Sequence, residues 1–239
     1  MELKVKLEKR IENFWGYGNL SSQIWHIGME EGLRDDEEDF NNRINNTYAK
    51  NVIDIVTDMQ GVKDHLKWFN GSIPLQTTWR LMIRIHLTIT GHKNITSELM
   101  KEYQKNYFGR TISDHCILEL MPLPAKSISK LSWFYDKYEL PILKNRNIYE
   151  NKIKPQRSSK LKTLINTYKP KCVVFYSKLN LDDWKKIINK DISYLSNNVQ
   201  FAFNNDINYF ILPHPGMHGL TNNDWDEFGK LISDKVRGV

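Results

Sequence analysis

Apolar positions along this chain change spacing repeatedly, and the changes mark its elements. Val5, Leu7, Ile11 and Phe14 give residues 4–14 a rough helical face, which ends at the turn Gly16-Tyr17-Gly18-Asn19. A short apolar run, 24–28, then predicts a first strand. Helical patterning follows over Tyr48 to Met59, Trp79 to Thr88 and Thr96 to Tyr107. His115 to Met121 reads as a second strand, stopped by Pro122 and Pro124. Leu161, Leu164, Ile165 and Tyr168 recur at helical spacing until Pro170. Lys171 to Tyr176 has the near-continuous apolar character of a buried parallel strand. A helix over Leu181 to Ile188 and a fourth strand over Tyr209 to Leu212 come next. Thr221 or Asn222 caps a last helix whose Trp225, Phe228 and Ile232 face inward. Strands alternating with helices predict an α/β fold with a parallel sheet.

The two most informative stretches end strands. Ile24-Trp25-His26-Ile27-Gly28 runs into Met29-Glu30-Glu31-Gly32, and Tyr209-Phe210-Ile211-Leu212 runs into Pro213-His214-Pro215-Gly216-Met217-His218-Gly219. Ligands of open parallel sheets bind beyond the carboxyl ends of the strands. Both loops are therefore expected at one edge, where Glu30 and His214 meet as an acid and an imidazole suited to hydrolysis.

Composition narrows the classes. The 239 residues suit one domain with a full core, and 40% hydrophobic and 12% aromatic content argues against disorder. No run approaches the ~20 apolar residues of a membrane span, and the charged start Met1-Glu2-Leu3-Lys4-Val5-Lys6 has no signal-peptide character. A cytoplasmic protein is expected. The net charge of +6 and pI of about 9.1 favour an anionic partner, nucleic acid before a membrane. Charge is uneven: residues 35–39 are all acidic, whereas Lys144 to Lys162 holds seven basic residues against Glu150. Either run also reads as a solvated loop or helix face. Cys116 and Cys172, both in strands, are too few for a four-cysteine cluster, and His86, His92 and His115 look isolated. Neither a metal nor another cofactor is expected.

With these loops in this order the chain resembles the uracil-DNA glycosylase superfamily. Gly28-Met29-Glu30-Glu31-Gly32 is similar to that family's first loop, and His214-Pro215-Gly216 to its second, commonly His-Pro-Ser. Ile117-Leu118-Glu119-Leu120-Met121-Pro122 stands at the family's second strand, and Lys160 to Ser177 resembles its following helix and third strand. The resemblance implies a three-layer α/β/α domain over 1–239 with a four-stranded parallel sheet and a helical insertion at about 33–112. It implies DNA as partner, base flipping and a monomer, while two cysteines are too few for an iron–sulfur cluster. Three residues depart from the pattern: Glu31 for a usual Pro, Gly216 for Ser, and Glu119 for the base-reading Asn.

Roles follow from the chemistry of breaking an N-glycosidic bond. Glu30, with Glu31 in reserve, orients or deprotonates water and stabilises a cationic sugar; alternatively these acids cap the next helix. His214 donates to the departing base, or is a packed histidine in a rigid turn. Glu119 accepts from a cytosine amino group and, if protonated, donates to N3. Its alternative is an ion pair with a basic neighbour. A cytosine reader compatible with its host's DNA implies a modified base such as hydroxymethylated or glucosylated cytosine of phage DNA, hence antiviral defence. Gln76 and Trp79 line the base pocket, or Trp79 joins the core. Met217, His218 or Leu220 supplies a wedge, and Ser177, Lys178, Arg157 and Lys160 hold phosphate. A uracil or mismatch glycosylase, a catalytically silent DNA-binding module and a nucleoside hydrolase remain as alternatives. Strand nicking is not expected, because neither loop carries a lysine.

Overall fold

Four apolar runs make the centre of the molecule. In the computed structural model, which describes residues 2–33, 37–46, 51–60, 65–126 and 133–238, these runs form parallel neighbours. They are β2 (Ile24–Gly28), β4 (His115–Glu119), β5 (Cys172–Tyr176) and β8 (Ile207–Leu212), in the order β4-β2-β5-β8. All four match predicted strands. The sheet nevertheless has eight strands, not four. At one edge β1 (Gly16–Gly18) pairs antiparallel with β4 and parallel with β3 (Val52–Ile53). At the other, β7 (Gln200–Asn204) pairs antiparallel with β8 and with β6 (Ser193–Tyr194). β1 escapes a propensity reading because it is two-thirds glycine. Gly16 sits at φ +144°, and a Cβ there would collide with the Ile117 carbonyl, so only glycine permits this close approach.

Side-chain alternation divides the sheet's faces. Ile24, Ile117, Cys172, Val174, Tyr176, Phe210 and Leu212 face α4 (Thr77–Ile89) and α8 (Asn222–Arg237), with α3 (Ile55–Met59) and α5 (Ser97–Asn106) completing that core. Trp25, Ile27, Cys116, Leu118, Val173, Phe175 and Ile211 face α6 (Arg146–Tyr168) and α7 (Leu181–Ile188), where Trp184 stacks on Phe175. The two buried cysteines thus lie on opposite faces. A third core joins α1 (Glu2–Asn13) and α2 (Glu37–Asn46) to Met121, Leu123, Tyr135, Leu143 and the start of α6. It covers the chain beyond the carboxyl end of β4.

Two predicted elements differ. Tyr48–Met59 is not one helix: 48–50 lie outside the described residues, Val52–Ile53 is strand, and Asp54 caps the short α3 by accepting from the Val56 and Thr57 amides. The basic segment from Lys144 is helix rather than loop. Asn145 caps α6, which continues for 23 residues past Pro155 and buries Tyr149, Ile153, Arg157, Leu161 and Ile165 at i+4 intervals. Within the acidic block, residues 35–36 lie outside the described set, but Asp39 is buried against Arg43 at 2.8 Å. No helix among the described residues is long and apolar enough to cross a membrane.

Phe210 is fully buried between the sheet and its α4/α8 layer, so Phe210→Ala should cost about 3–5 kcal/mol in urea unfolding. Leu179, 86% exposed beyond β5, should tolerate alanine within about 0.5 kcal/mol in the same measurement.

Candidate active site at the carboxyl edge of the sheet

Parallel pairing fixes what this edge presents. Gly28 is level with Glu119 on one side, and the row Ile27, Phe175, Ile211 runs across the other. The loops after β2 and β8 therefore leave at the same edge, about 10 Å apart with β5 between them.

Glu119 is the group that glycine makes possible. Its carboxyl lies across Gly28, where any Cβ would collide with Oε2. Oε2 is buried and, among the described residues, has no hydrogen-bond partner. Arg157 does not neutralise the carboxylate. It donates instead to the main-chain carbonyls of Glu119 (2.9 Å) and Leu120 (2.5 Å), with its guanidinium 3.6 Å from the Trp15 ring centre. Burial, followed by the negative neighbours Glu31 and Glu30, pushes the Glu119 carboxyl well above its usual range. The raised pKa favours its protonated form, which is a hydrogen-bond donor as well as an acceptor.

Glu30 and Glu31 point into ion pairs. Both oxygens of Glu30 receive Arg146 Nη2 at 2.7 Å, and Arg146 also binds Glu150 at 2.6 Å. Burial raises the Glu30 carboxyl, and Arg146 opposes that shift. Glu31 accepts from Arg10 (2.6 Å), Tyr17 (2.5 Å) and Arg43 (3.4 Å). Tyr17 OH lies equally close to Asp58, at 2.5 Å. One phenol proton cannot serve two carboxylates, so the second contact needs a proton on an acid. Burial raises Asp58 to about 6, which makes it the natural holder.

His214 has a defined tautomer. Its Nδ1 accepts the Gly216 N–H at 2.9 Å, so in the neutral ring the proton resides on Nε2. Desolvation lowers its pKa, favouring that neutral form. The following turn closes with the Met217 N–H on the His214 carbonyl, and leaves Met217 and His218 exposed. The expected meeting of Glu30 with His214 does not occur: among the described residues no hydrogen bond or ion pair joins them, because Arg146 holds Glu30 at the start of α6.

The other candidates separate. Gln76 caps α4 by accepting the Trp79 amide, and Trp79 packs against Trp68, Phe69 and Phe108, so both serve the fold. Arg157 is buried and cannot meet phosphate in this arrangement. Lys160 is exposed on α6. Ser177 follows β5 with φ +81°, and Lys178 Nζ binds the Asn197 carbonyl at 2.6 Å and Asn198 Oδ1 at 3.1 Å. Leu220 packs partly against the α4/α8 core. The histidines are not all isolated: His86 and His115 converge with His26 and Asp114 on the sheet's α4 face, away from this edge. Sequence reading missed Arg10, Tyr17, Arg43, Asp58 and Arg146: Arg43–Asp39 and Arg146–Glu150 are i,i+4 pairs, but the contacts to Glu30 and Glu31, and that of Tyr17 with Asp58, span 12 to 116 residues.

A group whose folded-state pKa exceeds its unfolded value favours the fold at low pH and loses that contribution as pH rises. Glu119 should therefore make stability fall above the ordinary glutamate pKa of about 4.3. Glu119→Gln should remove this decline and be more stable than wild type at pH 8, read from urea midpoints between pH 5 and 8. Gly28→Ala displaces only the flexible end of Glu119, so it should cost about 1–3 kcal/mol, and less in a Glu119→Ala background.

No family model matches the chain, and no curated protein matches it.

Proposed function

We propose that this chain is a monofunctional DNA N-glycosylase that removes a modified pyrimidine and leaves an abasic site. The observation that carries the reading is the buried Glu119 carboxyl, raised in pKa and with Oε2 unpartnered among the described residues, at the carboxyl edge of four parallel strands. One O–H donor and one carbonyl acceptor complement cytosine's N3 and its N4 amino group. We take the base to be hydroxymethylated or glucosylated cytosine of phage DNA, which implies a role in defence. The opposite orientation of the same carboxyl pairs with uracil, which makes uracil the competing base.

The remaining roles follow from the geometry. His214 presents an Nε2 proton to the departing base as negative charge grows on it. Glu30, fixed by Arg146, supplies a stationary negative charge beside the sugar and an acceptor for water through its remaining lone pairs. Met217, exposed after β8, is the wedge that occupies the vacated stack, and the basic surface draws in DNA. One observation favours a second reading: Glu30 and Glu31 are both committed to arginines, as suits a silent DNA-binding module of this fold.

Single-turnover base release from DNAs carrying cytosine, hydroxymethylcytosine, glucosylated hydroxymethylcytosine and uracil tests these readings. A modified cytosine should be released, with His214→Ala slower by about 10²–10³-fold and Glu30→Gln impaired. Glu119→Asn should shift preference toward uracil. Uracil release alone would discard the cytosine assignment, and salt-sensitive binding without release would favour the silent module.

A further inference from the structure

The amino edge of the same sheet gathers a second set of polar groups. His115 opens β4, Asp114 precedes it, and His86 reaches them from α4. His86 Nε2 lies 3.0 Å from Asp114 Oδ2, and His115 Nδ1 lies 3.4 Å from Asp114 Oδ1. One ligand atom from each residue falls within 4.8 Å of the others. His86 is buried and Asp114 exposed, so the group opens to solvent from an otherwise enclosed wall.

The contact between His86 and Asp114 is the informative one. Nε2 is a buried nitrogen without a hydrogen-bond partner among the described residues, although a carboxylate oxygen is only 3.0 Å away. The oxygen therefore lies off the direction in which this nitrogen would donate. Two ligand atoms each about 2.1 Å from a shared ion, and 3.0 Å from one another, subtend roughly a right angle at it. Their lone pairs then aim at the ion and not at each other. An oblique, close N···O approach is what a shared ion requires and what a hydrogen bond avoids.

We propose that His86 Nε2, Asp114 and His115 Nδ1 bind a divalent transition ion of the zinc class, with a further position open to solvent. Two imidazoles and a carboxylate suit such borderline ions. Outer contacts hold the ligands. His86 Nδ1 faces His26 Nε2 at 3.4 Å, and His26 Nδ1 faces Tyr176 OH at 2.9 Å. These permit His86 to donate inward while Nε2 faces the ion. Tyr103 OH donates to Asp114 Oδ1 at 2.5 Å and accepts from His115 Nδ1 at 2.8 Å, a bond that the ion would replace. Without the ion, His115 Nε2 accepts the Gly109 N–H at 3.0 Å, which leaves the proton on Nδ1. Binding replaces that Nδ1 proton, puts one on Nε2 and releases Gly109. Loading thus moves the turn after α5.

The site is independent of the proposed glycosylase, and its test reads binding rather than catalysis. Chelator-treated protein is titrated with Co²⁺ by visible absorption and with Zn²⁺ by calorimetry. One ion per chain is expected, with Co²⁺ absorption bands of a low-coordinate nitrogen–oxygen site and a displaced Gly109 amide resonance. Asp114→Asn, at an exposed position, should weaken binding at least tenfold, and His115→Gln likewise, with folding checked by circular dichroism. His92→Gln, a histidine outside the group, should bind as wild type. No stoichiometric binding by wild type, or equal binding by Asp114→Asn, would overturn the assignment.

Discussion

Removing a carboxylate from water costs several kcal/mol unless a counter-charge offsets it, and the carboxyl edge of this sheet buries several. Glu30 and Glu31 have side chains only 8% and 9% exposed, and Asp39 and Asp58 are buried outright. Arg10, Arg43 and Arg146, from α1, α2 and α6, answer these charges. The same ion pairs join the third core to the sheet and fix the loop after β2. Among the described residues Glu119 has no ion pair, and burial beside the other acids raises its pKa. Structural demand and chemical opportunity at this edge have one origin.

The parallel strands were legible because each alternates between two apolar faces or is apolar throughout, a pattern that needs no distant partner. Helix α6 was half hidden for the opposite reason. Its inward ladder includes Arg157, and its first residue is the buried Arg146, so a period sought among apolar residues breaks just where the helix is most tied to the site. β1 was hidden by glycine, needed for contact with β4 yet poor in strand propensity. β6 and β7 join as a short antiparallel addition that neither crossover length nor a continuous apolar run announces.

Within the site, sequence reading found positions better than states. His214 was identifiable from its place after an apolar run, and Glu119 from the family resemblance, at the position of a base-reading Asn. Glu119's protonation depends on Gly28 and on acids contributed by another loop, and the His214 tautomer depends on an amide two residues away. The partner of Glu30 was out of reach: Arg146 is 116 residues distant, in a segment whose basic character suggested solvent or phosphate. Buried histidines such as His26 and His115 likewise become neighbours only through strand pairing and the packing of α4 on the sheet.

The sheet also separates the molecule's two thiols. Cys116 faces α6 and α7, while Cys172 faces α4 and α8, and burial raises both thiol pKa values. They cannot pair across an intact sheet, and neither offers a thiolate to reagents from outside. Their chemistry therefore becomes a record of opening: labelling at Cys116 dates the lifting of one helical layer, and labelling at Cys172 the other. A disulfide between them would mark chains in which the sheet itself had come apart.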